Sequence, residues 1–490
     1  MSFRLRILRL RYHVSSLCTG FIQSLLHCTA RSSTTIGVPS QLEASLEASP
    51  CEHLQDRVTI DTLPDDVLVE SFHFYVNQSI LTNEWHKLVH VCQRWRDVVF
   101  ASPRRLNLRL QYTGKSPMSE MLDIWPVLPV VMNHALDSWE NVTVALESEH
   151  HHRICQINLW DIPTSHWERF AVAMQKPFPK LTYLRFRIQD NTVASLPDSF
   201  LGGSSPLLRY LSLANCPFPG IPKLLLSANQ LVVLSLFNIP DSGYISPQDL
   251  VTVLSAMSRL ETLSLGFRSP LYPASRPPPP LTRSGLPALT GLTFCGVHEY
   301  LEGLLAPIEV PLLNKLDVTF FMDIDFVIPQ LHRLITKAES FKRCDIAIVR
   351  TSDRAIRFTV YRDTNKLPTL LLEIRCRELD WQLGSLAQVC SSSLPFLSTL
   401  VHLDIVDGNV PQSHWKDEME TTQWLELLAP LTAMKVLHLS HQVAPHVCQA
   451  LEELVGERVT EVLPALQNIF LEGLEPLGSV PKYIEGFIAA

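Results

Sequence analysis

The chain has 490 residues and a formal net charge of −8, with 46% hydrophobic and 18% charged residues. This apolar share supports a folded chain of more than one domain, and the acidic balance argues against a general nucleic-acid binder, which needs a concentrated basic surface. No run of about 18 apolar residues occurs, so no membrane span is expected. The eleven cysteines are odd in number and none has C-x-x-C spacing, which argues against a disulfide framework or a Cys-rich zinc site. They read as reduced, mostly buried thiols of an intracellular protein.

Residues 1–57 form a tail unlike the rest, with Arg4, Arg6, Arg9, Arg11 and Arg31, many Ser and Thr, and no acid before Glu43. A mitochondrial transit segment has this composition, as does a disordered tail. Then Leu63-Pro64-Asp65-Asp66 reads as a helix start. Proline suits the first turn, where its missing N–H is not needed, and two carboxylates sit at the positive end of the helix dipole. Val67, Leu68, Phe72, Tyr75 and Val76 recur at helical spacing, and a second stripe holds Trp85, Leu88, Val89, Cys92, Trp95 and Val99. Two short helices cannot bury a good core alone. Their apolar faces either await a partner or form the ordinary core of a small helical subdomain.

This pairing resembles the F-box, the module that docks on the Skp adaptor of Skp–cullin–F-box ubiquitin ligases. The resemblance covers residues 58–108 and rests on Leu63-Pro64, Val67-Leu68, Val91-Cys92 and Trp95-Arg96, with Ser102-Pro103 just after. It implies that Leu63, Pro64, Leu68, Phe72, Val91, Cys92 and Trp95 lie in or just beneath an adaptor-binding surface. Ser71 departs from the larger aliphatic residue the family usually carries there. A junction over 109–150, with Trp125 and Trp139, is expected to be packed.

Beyond it, from 151 to 490, a strand signal recurs: Ile154-x-x-Ile157-x-Leu159, Leu181-x-x-Leu184-x-Phe186, Leu208-x-x-Leu211-x-Leu213, Leu231-x-x-Leu234-x-Leu236 and Leu260-x-x-Leu263-x-Leu265. Leu289, Leu313, Leu400, Met434 and Leu466 open further copies. From 154 to 313 the copies start about 23 to 29 residues apart, the period of leucine-rich repeats. The first Leu is expected to enter the strand and the next two to alternate inward. Between strands the chain returns, as at Ser246-Pro247-Gln248-Asp249, an N-cap followed by Leu250, Val253, Leu254 and Met257 on the inward face. Units this small must stack to share one core, and the solvent-facing strand residues then make a broad binding surface. Arg209, Tyr210, Ser212, Ser235, Thr262, Ser264 and Thr293 are its candidates, each equally able to be a solvated sheet position. Ser269 to Pro287, with Arg276 and the run Pro277 to Pro280, reads as a surface insertion. Residues 341–381 read as divergent repeats, alternating at Cys344, Ile346 and Ile348, then Ile356, Phe358 and Val360, then Leu370, Leu372 and Ile374.

No catalytic constellation emerges. Gly114-Lys115-Ser116 lacks the earlier glycine of a phosphate-binding loop, because Arg109 holds that place, and Pro117 opposes a helix. His150, His151 and His152 before Cys155, and His438, His441 and His446 before Cys448, have no established metal-ligand spacing. Arg104, Arg105, Arg109 and Lys115 read as a solvated face. No metal, cofactor or catalytic residue is therefore expected. Phrases such as Lys176-Pro177-Phe178-Pro179, Gly243-Tyr244-Ile245-Ser246-Pro247 and Leu379-Asp380-Trp381-Gln382 make residues 58–490 similar to a greatly expanded family of fungal F-box proteins with leucine-rich-repeat-like regions. The expectation is thus an α/β chain: an N-terminal helical F-box, then an irregular leucine-rich-repeat solenoid with a curved parallel sheet. Its implied function is a non-catalytic ligase adaptor, cytoplasmic or nuclear, whose partners are a Skp-type adaptor, the cullin core and a substrate protein. A mitochondrial address conflicts with that role. A repeat scaffold that acts without a ligase is the alternative.

Overall fold

The computed structural model describes residues 62–78, 85–125, 127–133, 138–189, 195–218, 221–270, 284–321, 328–362, 367–376, 379–408, 421–452 and 462–472. The tail at 1–57 and the proline run at 277–280 lie outside these residues. The chain forms two compact units, Met1–Asn133 and His134–Ala490. The division falls inside the expected junction, so 109–133 belongs with the helices and 138–150 with the repeats.

In the first unit, helix α1 (Asp65–Gln78) is followed by α2 (Trp85–Leu88) and α3 (Gln93–Ala101). Pro64 sits just outside α1 rather than in its first turn, and its carbonyl accepts the Leu68 N–H at 3.1 Å. Leu68, Phe72, Tyr75 and Val76 are buried as their spacing requires, whereas Val67 is exposed. The second apolar stripe is not one helix. Cys92 takes an extended conformation (φ −156°, ψ 169°) as the N-cap of α3, so the chain breaks between Leu88 and Gln93. Short strands β1 (Leu110–Tyr112) and β2 (Val130–Asn133) then pair in parallel around α4 (Met118–Ile124). Trp125 meets Trp85 edge-on at 5.1 Å, and the Trp85 indole donates to the Arg109 carbonyl at 2.9 Å.

The second unit opens with α5 (Trp139–Glu147), β3 (Ile154–Ile162), α6 (Thr164–Ala173), β4 (Tyr183–Ile188), β5 (Tyr210–Ala214), α7 (Ile221–Ser227), β6 (Val233–Ile239), α8 (Pro247–Leu254) and β7 (Thr262–Phe267). After a two-residue strand β8 (Ser284–Gly285) come β9 (Gly291–Gly296), α9 (His298–Leu305), β10 (Ile308–Glu309) and β11 (Lys315–Phe321). Strands β3 to β7, β9 and β11 pair in parallel in chain order, each repeat copy aligned with the next. Leu211, Leu234, Leu263, Leu292 and Leu316 form one row across the sheet, and Leu213, Leu236, Leu265, Phe294 and Val318 the next. All ten are buried. Each contributes about 1.5–3 kcal/mol by leaving water. In-register stacking is what makes that burial possible, because a single strand has nothing to bury against.

Ile154 opens β3 as expected, but in the following copies the first Leu precedes the strand instead of entering it. Leu208, Leu231, Leu260 and Leu289 each donate their N–H three residues back, closing a tight turn. The carbonyl just after that Leu then accepts two consecutive N–H groups of the next repeat. The Arg209 carbonyl takes Val232 and Val233 at 2.8 and 3.0 Å, and the Glu261 carbonyl takes Thr290 and Gly291 at 2.9 and 3.0 Å. Just past β5, Asn215 holds positive φ (63°), as does Asn238 (52°) at the irregular end of β6, a conformation asparagine tolerates better than most residues. Asn215 Nδ2 donates to the Ile188 carbonyl and Asn238 Nδ2 to Asn215 Oδ1, both at 2.8 Å. On the return, Ser246 caps α8 by accepting the Asp249 N–H at 3.1 Å, with Pro247 at the first helical position and Leu250, Val253, Leu254 and Met257 buried. The expected insertion is back in the fold by Ser284, where β8 pairs in parallel with β10.

Residues 341–381 are not divergent repeats. After α10 (Pro329–Lys337), β12 (Ile346–Thr351), β13 (Ala355–Tyr361) and β14 (Leu370–Arg375) form an antiparallel meander inserted in reverse order, so that β14 lies beside β11 and β12 lies beside β15 (His402–Asp407). A three-stranded meander has outer strands that point the same way, so both flanks remain parallel to the sheet. The tight turn is closed by Ser352, whose hydroxyl donates to the Ala355 carbonyl and accepts its N–H. In β12 the inward residues are Ala347 and Val349, not Ile346 and Ile348 as their alternation suggests; in β13 and β14 the expected residues point inward. The sheet continues through α11 (Leu379–Ser393), α12 (Thr421–Leu428), β16 (Val436–Leu439), α13 (Ala444–Glu452) and β17 (Asn468–Leu471). The helices pack in sequence from α7 to α13.

Leu234→Ala, in the middle of the inward row, is expected to lower stability by about 2–5 kcal/mol. The exposed helix position Leu226→Ala should change it by no more than about 0.5 kcal/mol. Urea unfolding followed by circular dichroism distinguishes the two.

Candidate functional site

In the helical unit, the two halves of the expected adaptor surface come together through one arginine. Arg94, in the first turn of α3, reaches back to the start of α1. Its guanidinium donates to the Leu63 carbonyl and to Asp65 Oδ1, at 3.2 Å from Nε and 2.7 Å from Nη2. Leu63-Pro64 and Val91-Cys92 are thereby tied to neighbouring segments, although they are far apart in the chain. Leu63 and Val91 are half-buried, and Pro64 and Cys92 are exposed. Leu68, Phe72 and Trp95 are instead interior. Phe72 and Trp95 pack with ring centroids 4.7 Å apart, and all three are almost wholly shielded by the chain itself. The seven expected residues thus divide into four reachable ones and three supporting ones beneath. Ser71 is also buried, its hydroxyl donating to the Val67 carbonyl at 2.9 Å. Of the basic cluster, Arg105 is ion-paired with Glu70, and Arg109 Nε donates to Asn107 Oδ1 at 3.2 Å.

In the repeat unit, the face opposite the inward rows carries a second surface. Asn158, Arg185, Ser212, Ser235, Ser264, Thr293 and Asp317 lie in one register row from β3 to β11. Of the expected surface residues, Arg209 is exposed and Tyr210, Thr262 and Thr293 are half-buried, but Ser212, Ser235 and Ser264 are buried. These serines are too short to rise above their larger neighbours. Relief comes from the aromatic residues around them. Tyr183 and Tyr210, aligned across β4 and β5, stack face to face at 4.2 Å. Phe237 lies over Gly266, where a Cβ would come within 2.9 Å of its ring.

At the β3 end, the Arg185 guanidinium sits 3.7 Å from the centre of the Trp160 ring, with Arg187 at 5.4 Å. Arg187 is also paired with Asp161, whose left-handed backbone (φ 56°) marks a bulge in β3. Burial, and then the neighbouring Tyr210, raise the Tyr183 phenol above its ordinary pKa. Accessible Trp, Tyr and Arg side chains, some exposed and some half-buried, held by the backbone register are the residue types that dominate protein interfaces. The sequence showed Arg209 and Tyr210 through their strand frame. Trp160 and Arg187 continue the outward alternation of Asn158 and Arg185, but each follows the last apolar position of its L-x-x-L-x-L copy, so the frame alone did not single them out.

Toward the meander the same face holds an ion-pair network. Glu373 on β14 is buried and accepts from Arg357 Nε at 2.9 Å and Arg375 Nε at 2.7 Å. Burial pushes its pKa up, but the hydrogen bonds from the two arginines outweigh this, and the net shift is downward. Asp317, two strands from β13, is raised mainly by burial. Burial likewise pushes the Cys295 thiol up to about 11, so it is a thiol rather than a thiolate near neutrality.

The remaining motifs do not assemble as active sites among the described residues. Gly114 (φ 75°) and its neighbours form a bend ahead of α4, which starts after Pro117. The ring nitrogens of His151 and His152 bond the carbonyls of Ser148 and Glu149. Cys155 and Cys448 are buried. His438 does not gather with His441 and Cys448; it meets His402 and Asp404 across β15 and β16.

The stacked, register-aligned β-units with an aromatic and arginine-bearing open face make a leucine-rich-repeat-like fold. That assignment rests on the chain's own strand register. Among solved structures, the chain is similar to the leucine-rich repeat-containing protein LegL7 from Legionella pneumophila, at 12% identity and a TM-score of 0.28, covering 78% of this chain and 98% of that one. No family model and no curated protein matches the sequence.

Glu373→Gln is expected to cost about 1–2 kcal/mol at neutral pH, the range for hydrogen bonds to a charged group, taken low because both arginines reach solvent. The folded-state pKa is depressed, so this contribution is complete above the ordinary carboxylate range. It is lost as pH falls through the folded value. Wild type and variant should therefore converge in acid unfolding titrations.

Proposed function

We propose that this chain is the substrate-recognition adaptor of a Skp–cullin–F-box ubiquitin ligase. In this reading the helical unit docks the Skp-type subunit and the open sheet face holds the target protein. The observation that carries it is the clasp of Arg94 on Leu63 and Asp65. The clasp brings the two halves of the F-box-like motif to neighbouring positions and leaves Pro64 and Cys92 open to a partner. Leu68, Phe72 and Trp95 support those residues from below. On the other unit, Trp160, Tyr183, Tyr210 and Arg209 supply the large, stiff side chains that anchor protein partners. The chain itself contributes no nucleophile or base. Ubiquitin transfer gains from tethering, which raises the local concentration of the target near the conjugating enzyme.

Purified full-length chain and a Skp subunit are expected to co-elute. Leu63→Ala with Pro64→Ala should abolish the complex, and Arg94→Ala should weaken it about tenfold, as the loss of one clasp of roughly 1.4 kcal/mol implies. Helical content should be unchanged in circular dichroism. A folded wild-type chain that binds no Skp subunit would favour the ligase-independent scaffold. For the sheet face, Trp160→Ala combined with Tyr210→Ala should remove the proteins biotinylated by a proximity-labelling fusion in cells with the ligase inhibited. An unchanged set would move the target surface elsewhere.

A further inference from the structure

We propose that His402, Asp404 and His438 form a divalent-cation site of the zinc class on the open face of the sheet. His402 and Asp404 are two residues apart on β15, so they share a face, and Asp404 stands in register with His438 on β16. Both histidines turn a ring nitrogen toward the same carboxylate oxygen. His402 Nε2 is 2.8 Å from Asp404 Oδ1, and His438 Nδ1 is 3.8 Å from it. The three donor atoms lie within 4.8 Å of one another.

Two imidazoles and one carboxylate are a donor set that suits Zn2+. Bonds of roughly 2.0–2.2 Å in a tetrahedron place donor atoms about 3.3–3.5 Å apart. The observed separations, 2.8 and 3.8 Å to Asp404 Oδ1, bracket that value. The backbone that carries the donors is a paired sheet rather than a loop, which keeps the cost of organising the site small.

The surroundings set this trio apart from the ordinary solvated charges of the surface. On β12 the residues opposite His402 and Asp404 are Ile346 and Ile348, and on β16 Val436 stands opposite His402. On the far side Phe470 packs against the His438 ring with centroids 4.5 Å apart. The two imidazole rings themselves approach to 4.7 Å. No lysine or arginine stands at any of these register positions to compete for the carboxylate. Three protein donors leave a fourth coordination position for water or for a side chain of a bound protein. The site lies on the same register row as Arg185 and Ser212, traced strand by strand through the meander.

The test is competition for Zn2+ between the full chain and a chromophoric chelator, with Co2+ as a spectroscopic probe. Wild type is expected to hold one more equivalent of Zn2+ than the His402→Ala/His438→Ala double variant. With Co2+ it should show visible bands of a four-coordinate ion that the double variant lacks. Asp404→Asn keeps the side-chain shape and is read in parallel, so the result stands even if the double variant misfolds. It should weaken Zn2+ binding by at least the roughly tenfold loss that even outer-shell changes cause. Equal Zn2+ stoichiometry and affinity in wild type and in Asp404→Asn would overturn the site and leave the trio as a plain hydrogen-bonded cluster.

Discussion

Every strand of the repeat unit buries its apolar residues only because its neighbour is aligned with it, residue for residue. The side-chain period of a strand is two, so a slip by one position would turn Leu234 and Leu236 outward and bring Ser235 into the core. Two devices hold the alignment. Carbonyls such as those of Arg209 and Glu261 each take two N–H groups from the next repeat, and the tight turn at the first Leu sets where each strand begins. The amides of Asn215 and Asn238 add a third tie at the other end of the strand.

The meander shows how strongly this alignment constrains the chain. Three strands depart from the repeat order and two of the new pairings are antiparallel, yet the inward rows pass through without a break. Leu316 is followed by Leu370, Val360, Ala347 and Leu403, each opposite the last. Reversing the order of three strands leaves both flanks parallel, so the insertion satisfies the same backbone pairing as an ordinary repeat. It also brings Arg357 and Arg375 to Glu373, an acid that would be costly to bury alone.

The surfaces follow from the same rule. What cannot point inward must line the open face, and along that face the side chains differ. Tyrosines, Trp160 and arginines stand near β3 to β5, small serines lie in the middle, and the two histidines with Asp404 lie toward β16. In the helical unit a different economy operates. Leu68, Phe72 and Trp95 are spent on the interior, and the ends of the helices, joined by Arg94, are what remains reachable.

Local spacing in the sequence determined a good deal. The L-x-x-L-x-L copies reveal which residues face inward in nearly every parallel strand, because the two-residue period is a property of the backbone and needs no neighbour to read. The Ser246-Pro247 cap is legible for the same reason. Tertiary structure decided the rest. Ile346 and Ile348 look like core, yet Ala347 and Val349 are buried, since the phase of β12 is set by its partners β13 and β15. Cys92 stands in the same apolar stripe as Leu88 and Trp95 but caps a helix, because the chain turns between Leu88 and Cys92. Arg94 reaching Leu63, and His438 reaching Asp404, join residues distant in the chain. No spacing encodes such meetings; they exist only once the backbone has brought the two segments side by side.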